Sequence, residues 1–208
     1  MARVPDSVLE TMIEREDAGV VANSRITGAM GVLVFVLLAA EGVTILLHVR
    51  NVISAHVFIG MLLVPPVAVK TCSTGYRIAR YYMGRPAYVR KGPPPIILRL
   101  LGPLVILTTG MVLATGIALL FVDRSAKWLS TLHKGSFILW FGAMAVHVLG
   151  HALETPPLAA ADWSSRARLV PGVAARRALL VITIAVAIGL ALWSLGWIGP
   201  EWHHLGGE

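Results

Sequence analysis

Apolar residues fall along this chain in five long blocks, roughly residues 26–49, 52–74, 96–122, 129–152 and 177–199, with polar and charged residues gathered between them. A helix that crosses the hydrocarbon of a bilayer needs about 20 mostly apolar residues, and each block is long enough. No strand-like alternation competes with them. The pattern predicts an all-α integral membrane protein: a four-helix transmembrane bundle over residues 26–152, then a loop at 153–176 and one additional C-terminal transmembrane helix at 177–199.

The segment before the first block, residues 1–25, has its own signal. Ser7-Val8-Leu9-Glu10 has the form of a capping box, and Val8, Leu9, Met12 and Ile13 recur at helical spacing, which predicts a short amphipathic surface helix. Asp6, Glu10, Glu14, Glu16 and Asp17 stand where a signal peptide would carry a basic region and an apolar core, so the segment reads as retained. Gly92-Pro93-Pro94-Pro95 forms a stiff lead-in to the third block, and Pro65-Pro66 inside the second removes two backbone donors and predicts a bend.

Composition narrows the class. Of 208 residues, 56% are hydrophobic and 14% charged, which is not the balance of a water-soluble domain. The excess of 18 Lys and Arg over 11 acids would suggest nucleic acid in a soluble chain; here the cations flank apolar blocks and report topology instead. Residues 1–25, 75–99 and 153–177 together hold thirteen of them, whereas the opposite face holds only Arg50, Arg124 and Lys127. By the positive-inside rule the N-terminus and both long loops are cytoplasmic and the tail at 200–208 is external, in a multi-pass protein of the inner (cytoplasmic) membrane. Trp193, Trp197 and Trp202 fit an aromatic belt at that outer face. A single cysteine, Cys72, excludes an intrachain disulfide, a thiolate metal cage and a Cys-ligated iron–sulfur cluster. Any cofactor must be held by histidine or oxygen.

Ionisable side chains within apolar spans are costly and mark function, which singles out Glu41, His48, His56, Lys70, His133, His147 and His151. His48 ends the first helix, while His56 and His133 lie one turn into the second and fourth. Those two helices run in the same direction, so the two histidines share a depth and can grip one iron from both sides of a porphyrin. His133 and His147 are fourteen positions apart, about 21 Å along a helix and within about 40° of one face, a separation that suits two stacked haems. Gly60 follows His56 by one turn, and Gly102, Gly110 and Gly116 punctuate the third block, where a flat macrocycle needs close backbone approach. Small-residue contacts between helices account for the same glycines.

His56, the His133/His147 pair and Thr115-Gly116 together give the chain a resemblance, over residues 26–152, to the bacterial cytochrome b family of small membrane proteins, the quinone-linked haem b subunits of hydrogenases and formate dehydrogenases. The resemblance implies bis-histidine haem b with His56 and His133 as axial ligands, electron exchange with quinone, and a peripheral or membrane redox enzyme subunit as partner. It makes the chain a quinone-linked oxidoreductase subunit or its membrane anchor. The departure is on the cytoplasmic side, where the partner of His147 for a second haem would have to be Lys70, or come from Asn23 or Ser24 at the start of the first helix. Lys70 also reads as a side chain snorkelling to the interface, and His147 as a helix contact.

The remaining candidates each carry two readings. Arg50, Arg124 and Lys127 near the outer histidines suit haem propionates, or are ordinary flanking charges. Tyr76-Arg77-Ile78-Ala79-Arg80-Tyr81-Tyr82 suits a second haem, or anchors the inner interface. Glu41 and His48, on one face two turns apart, suit a proton relay, or Glu41 bonds a neighbouring helix. His203 and His204 are most simply solvated. Two other classes stay open: a proton- or metal-handling transporter built on Glu41, His48, His56 and His133, and a structural subunit whose histidines only pack. No phosphate loop, nucleotide fingerprint or hydrolase constellation occurs.

Overall fold

The computed structural model describes residues 6–122, 127–164, 167 and 170–198, with side chains from Asp17 onward. Its elements are α1 (Asp6–Leu46), a 3-10 turn (Val49–Val52), α2 (Ile53–Tyr82), α3 (Pro86–Lys91), α4 (Ile96–Ala118), α5 (Lys127–His151), α6 (Thr155–Ala160), a second 3-10 turn (Ala161–Trp163) and α7 (Val173–Leu195). The described residues contain no strand, and α1, α2, α4, α5 and α7 are each long and apolar enough to cross a membrane. The protein is all-α and of multi-pass membrane type.

Boundaries follow local chemistry. Gly92, with φ 74, and Pro95 in an extended conformation stop α3 and launch α4, while Gly172, with φ 83, caps α7 in the left-handed region where a side chain would be strained. Two expectations shift. The surface helix predicted within residues 1–25 and the first span are one continuous rod of 41 residues, because nothing between them breaks a helix. The second span also runs past residue 74 to Tyr82, and its helix continues through Pro65 and Pro66, with Pro66 fully buried.

Packing divides the helices into two groups. α2 lies between α1 and α7, and α4 pairs with α5 as a hairpin; α2 and α4 touch only lightly. Asn23 Nδ2 donates to the Ser73 carbonyl at 3.1 Å and Thr27 Oγ1 meets Ser73 Oγ at 2.8 Å, tying α1 to α2. Trp140 Nε1 donates to Thr109 Oγ1 at 2.9 Å, tying α5 to α4. α7, read from sequence as an appendage, buries Thr183, Ala187, Ala191 and Ser194 on one face, a small-residue stripe that lets helix backbones approach.

The loop after α5 is folded rather than merely basic. α6 packs on α1 so closely that a Cβ at Gly28 would stand 2.6 Å from Leu158 Cβ. Beside it Asp162 accepts from Arg25 Nη1 at 2.8 Å and from Arg176 Nε and Nη2 at 2.5 and 2.8 Å, and its carbonyl accepts from Arg177 at 2.6 Å. The Arg176 guanidinium, followed by that of Arg25, holds the Asp162 carboxyl below the usual carboxylate range. One acid thus clamps α1, the loop and the first turn of α7.

Candidate functional site

The light contact between the two helix groups leaves a cleft. Open on one side, it lies between α1, α2, α4 and α5 and spans about 860 Å³ when the solvent at its mouth is counted. Its walls are mainly apolar, and Glu41, His56 and His133 bring the ionisable groups into it. No α7 residue lines it.

His56 enters from the second turn of α2 and His133 from the second turn of α5, and their rings face across the cleft with centroids 6.5 Å apart and planes at 86°. Imidazole nitrogens bind metals at about 2.0–2.1 Å, so two rings on opposite sides of one metal ion have centroids roughly 6 Å apart. The observed separation is close to that figure.

The hydrogen bonds fix which nitrogen each ring offers. Thr44 Oγ1 donates its one proton to the Glu41 carbonyl at 2.6 Å, so toward His56 Nδ1, 2.9 Å away, it accepts. Glu41 Oε1, 2.8 Å from the same nitrogen, is a second acceptor. Thr115 Oγ1 likewise donates to the Met111 carbonyl at 2.7 Å and therefore accepts from His133 Nδ1 at 3.0 Å. With the hydroxyl protons on those carbonyls, each Nδ1 is the donor to its threonine, and neither Nε2 hydrogen-bonds a described residue. In a neutral imidazole that leaves the Nε2 lone pair free, the arrangement in which an outer partner orients a metal-binding histidine.

Glycine supplies the space. A Cβ at Gly116 would stand 3.1 Å from His133 Cε1, and one at Gly60 would meet Glu41 Oε1 at 3.7 Å, so both predicted glycines sit against the site. At Gly102 and Gly110 a Cβ would meet nothing within 4 Å. Among the described residues no three His, Cys, Asp or Glu side chains converge as a metal-ion cage.

The structure does not bring His48 to Glu41. α1 ends at Leu46, and His48 takes a left-handed φ of 60, which carries it out of the helical register that the pairing required; it is exposed. Glu41 pairs with His56 instead, and its other oxygen, Oε2, is buried without a hydrogen-bond partner. Arg50 is exposed on the 3-10 turn and does not line the cleft, and Lys127 is exposed at the start of α5. Arg124, Trp202, His203 and His204 lie outside the described residues.

At the opposite end, His147 and His151 stack edge to face with centroids 4.9 Å apart, and His147 Nδ1 is buried without a partner. The Lys70 ammonium is turned toward α1, 3.5 Å from the Thr27 carbonyl and against Gly31. Around them the Tyr76–Tyr82 stretch pairs largely with nearby polar groups: Arg80 bonds and covers Tyr76, Arg77 donates to the Gly92 carbonyl, and Tyr82 meets Arg99.

Thr44 and the Arg25–Asp162–Arg176 clamp had escaped the sequence reading. Thr44 had a signal, since it follows Glu41 by three positions on one helical face. No family model matches the chain, and no curated protein or solved structure matches it.

Proposed function

We propose that this chain is a membrane electron-transfer protein that holds haem b between His56 and His133 and relays electrons between the quinone pool and a redox partner subunit, as the cytochrome b subunits it resembles do. The observation that carries the reading is the facing pair of imidazoles, 6.5 Å apart in an apolar four-helix cleft, each with its Nδ1 bonded to a threonine hydroxyl. When bound, the haem supplies a one-electron couple whose potential depends on ligands, burial and neighbouring charge. The chain's share is to orient and to exclude water. Thr44, Glu41 and Thr115 hold the two rings with Nε2 free, Gly116 lets His133 sit close to α4, and the apolar walls keep the site dry.

A single haem fits the side chains better than two, because Lys70 reaches for α1 rather than offering itself to His147. In this reading the membrane is the inner membrane, the N-terminus is cytoplasmic, and the haem lies near the external face. The test is haem content in His56→Ala and His133→Ala: each variant folds and loses haem. Full haem content in both folded variants refutes the ligand assignment.

A second reading, proton handling, is favoured by the unpartnered, buried Glu41 Oε2. It is supported instead if the purified protein carries no haem and proteoliposomes dissipate a pH gradient in a Glu41-dependent way.

A further inference from the structure

Arg25 and Arg177 mark the points on α1 and α7 at which the polar ends give way to apolar runs. Between them, bounded by the second 3-10 turn, lies a separate shallow groove, about 320 Å³ when the solvent at its open side is counted. Arg25, Arg176, Arg177 and Trp163 line its polar part, and Ile26 and Leu180 are among the apolar residues that continue it along the two helices. Three guanidiniums against the one carboxylate of Asp162 leave it two charges positive.

The clamp does not use all the donors of these arginines. Arg25 makes both of its hydrogen bonds, to Asp162 and to the Ala167 carbonyl, through Nη1 alone, although its side chain is only 9% exposed. Arg177 uses Nε and Nη2 on the Asp162 carbonyl and lies over the Trp163 ring at 4.6 Å. Nε and Nη2 of Arg25 and Nη1 of Arg177 therefore have no partner among the described residues. Arg176, by contrast, bonds Asp162 and the Pro171 and Val170 carbonyls through all three nitrogens and serves the clamp.

We propose that this groove binds one anionic phospholipid, its phosphate on the unused donors of Arg25 and Arg177 and its acyl chains along Ile26 and Leu180. Guanidiniums in a recess are suited to phosphate oxygens, and basic pockets between transmembrane helices at an interface recognise acidic headgroups. Trp163 supplies the amphipathic ring that such a depth favours. Phosphatidylglycerol offsets one of the two excess charges, whereas a zwitterionic lipid brings an ammonium group that cancels its phosphate and offsets neither. The proposal is independent of the histidine site.

The experiment uses the full chain in neutral detergent. Native mass spectrometry after addition of phosphatidylglycerol counts tightly retained lipid, and thermal unfolding is followed with phosphatidylglycerol, phosphatidylcholine or inorganic phosphate. One retained phosphatidylglycerol is expected, with a rise in Tm of about 5–10 °C at a hundredfold excess over Kd and no comparable rise with the other two. Arg177→Gln loses most of that rise, Arg177→Lys keeps part, and Arg85→Gln, at an exposed position outside the groove, keeps it all. A wild-type protein that retains no phosphatidylglycerol overturns the site whatever the variants do. An equal rise with phosphatidylcholine overturns headgroup recognition, an equal rise with phosphate shows an anion site rather than a lipid site, and an undiminished rise in Arg177→Gln removes the groove from the account.

Discussion

Glu41 Oε1 stands 2.8 Å from His56 Nδ1, linking the carboxylate of one transmembrane helix to the inward-facing imidazole of the next. Thr44, one turn along, accepts from the same nitrogen, and Thr115 does the equivalent for His133. The two histidines are thus presented rather than merely buried. Groups that orient metal-binding histidines are worth testing on their own, because removing them leaves the ligands in place.

Thr44→Val and Thr115→Val keep the shape of each side chain but remove the acceptor for Nδ1. Loss of an orienting partner of this kind costs about 10–100-fold in metal affinity. Haem titration of the apo-proteins is expected to show weakening of that order in each variant, larger in Thr115→Val, since His56 keeps Glu41 as a second acceptor. Unchanged affinity in both would show that the rings are held by packing alone.

The glycines separate site from scaffold. A methyl group at Gly116 meets His133 Cε1 at 3.1 Å, whereas one at Gly28 meets Leu158 Cβ at 2.6 Å, far from the cleft. Overpacking of this kind costs about 1–3 kcal/mol. Gly28→Ala is expected to lower thermal stability while haem per folded chain stays constant, and Gly116→Ala to lose haem with a smaller change in stability.

The Asp162 clamp gives the protein an acid limb. Its carboxyl is held below the ordinary range in the folded state, so the stability it contributes is present above the unfolded pKa of about 3.9 and is lost as pH falls through the folded value. Asp162→Asn leaves Arg25 and Arg176 buried without their counter-charge, at a cost of about 3–5 kcal/mol. Thermal unfolding between pH 7 and pH 2 is expected to show a lower Tm for the variant, with a gap that holds down to about pH 4 and narrows below it. A gap that does not narrow below about pH 4 would mean that Asp162 is not the titrating group.

His147 tests the number of haems. With Lys70 engaged toward Thr27 and Gly31, His147→Ala is expected to leave haem stoichiometry at that of the wild type. A fall by half would instead assign His147 to a second haem.

What the chain disclosed before its structure was known depended on the range of the interaction. The five spans were legible because each is set by its own run of about twenty apolar residues. That His56 and His133 share a depth followed from counting along two spans that run in the same direction, and their facing rings agree with it. Of the two readings of Glu41, a bond to a neighbouring helix holds, with His56, and the pairing with His48 does not: two turns of α-helix would put His48 on its face, but no proline or glycine announces that α1 ends at Leu46. Asp162 reads as one acid in a basic loop; its bond to Arg25 spans 137 positions, and nothing local encodes it. The place of α7 beside α2 was hidden similarly, since its stripe of Thr183, Ala187, Ala191 and Ser194 names no partner.

The measurement that tests the central claim most directly is a dithionite-reduced minus air-oxidised spectrum of the purified full chain, with pyridine-haemochrome quantitation. A sharp alpha band of bis-histidine haem b at one haem per chain is expected. Protein produced with ample haem supply that shows no such band would contradict the claim and leave the facing of His56 and His133 to the packing of the bundle.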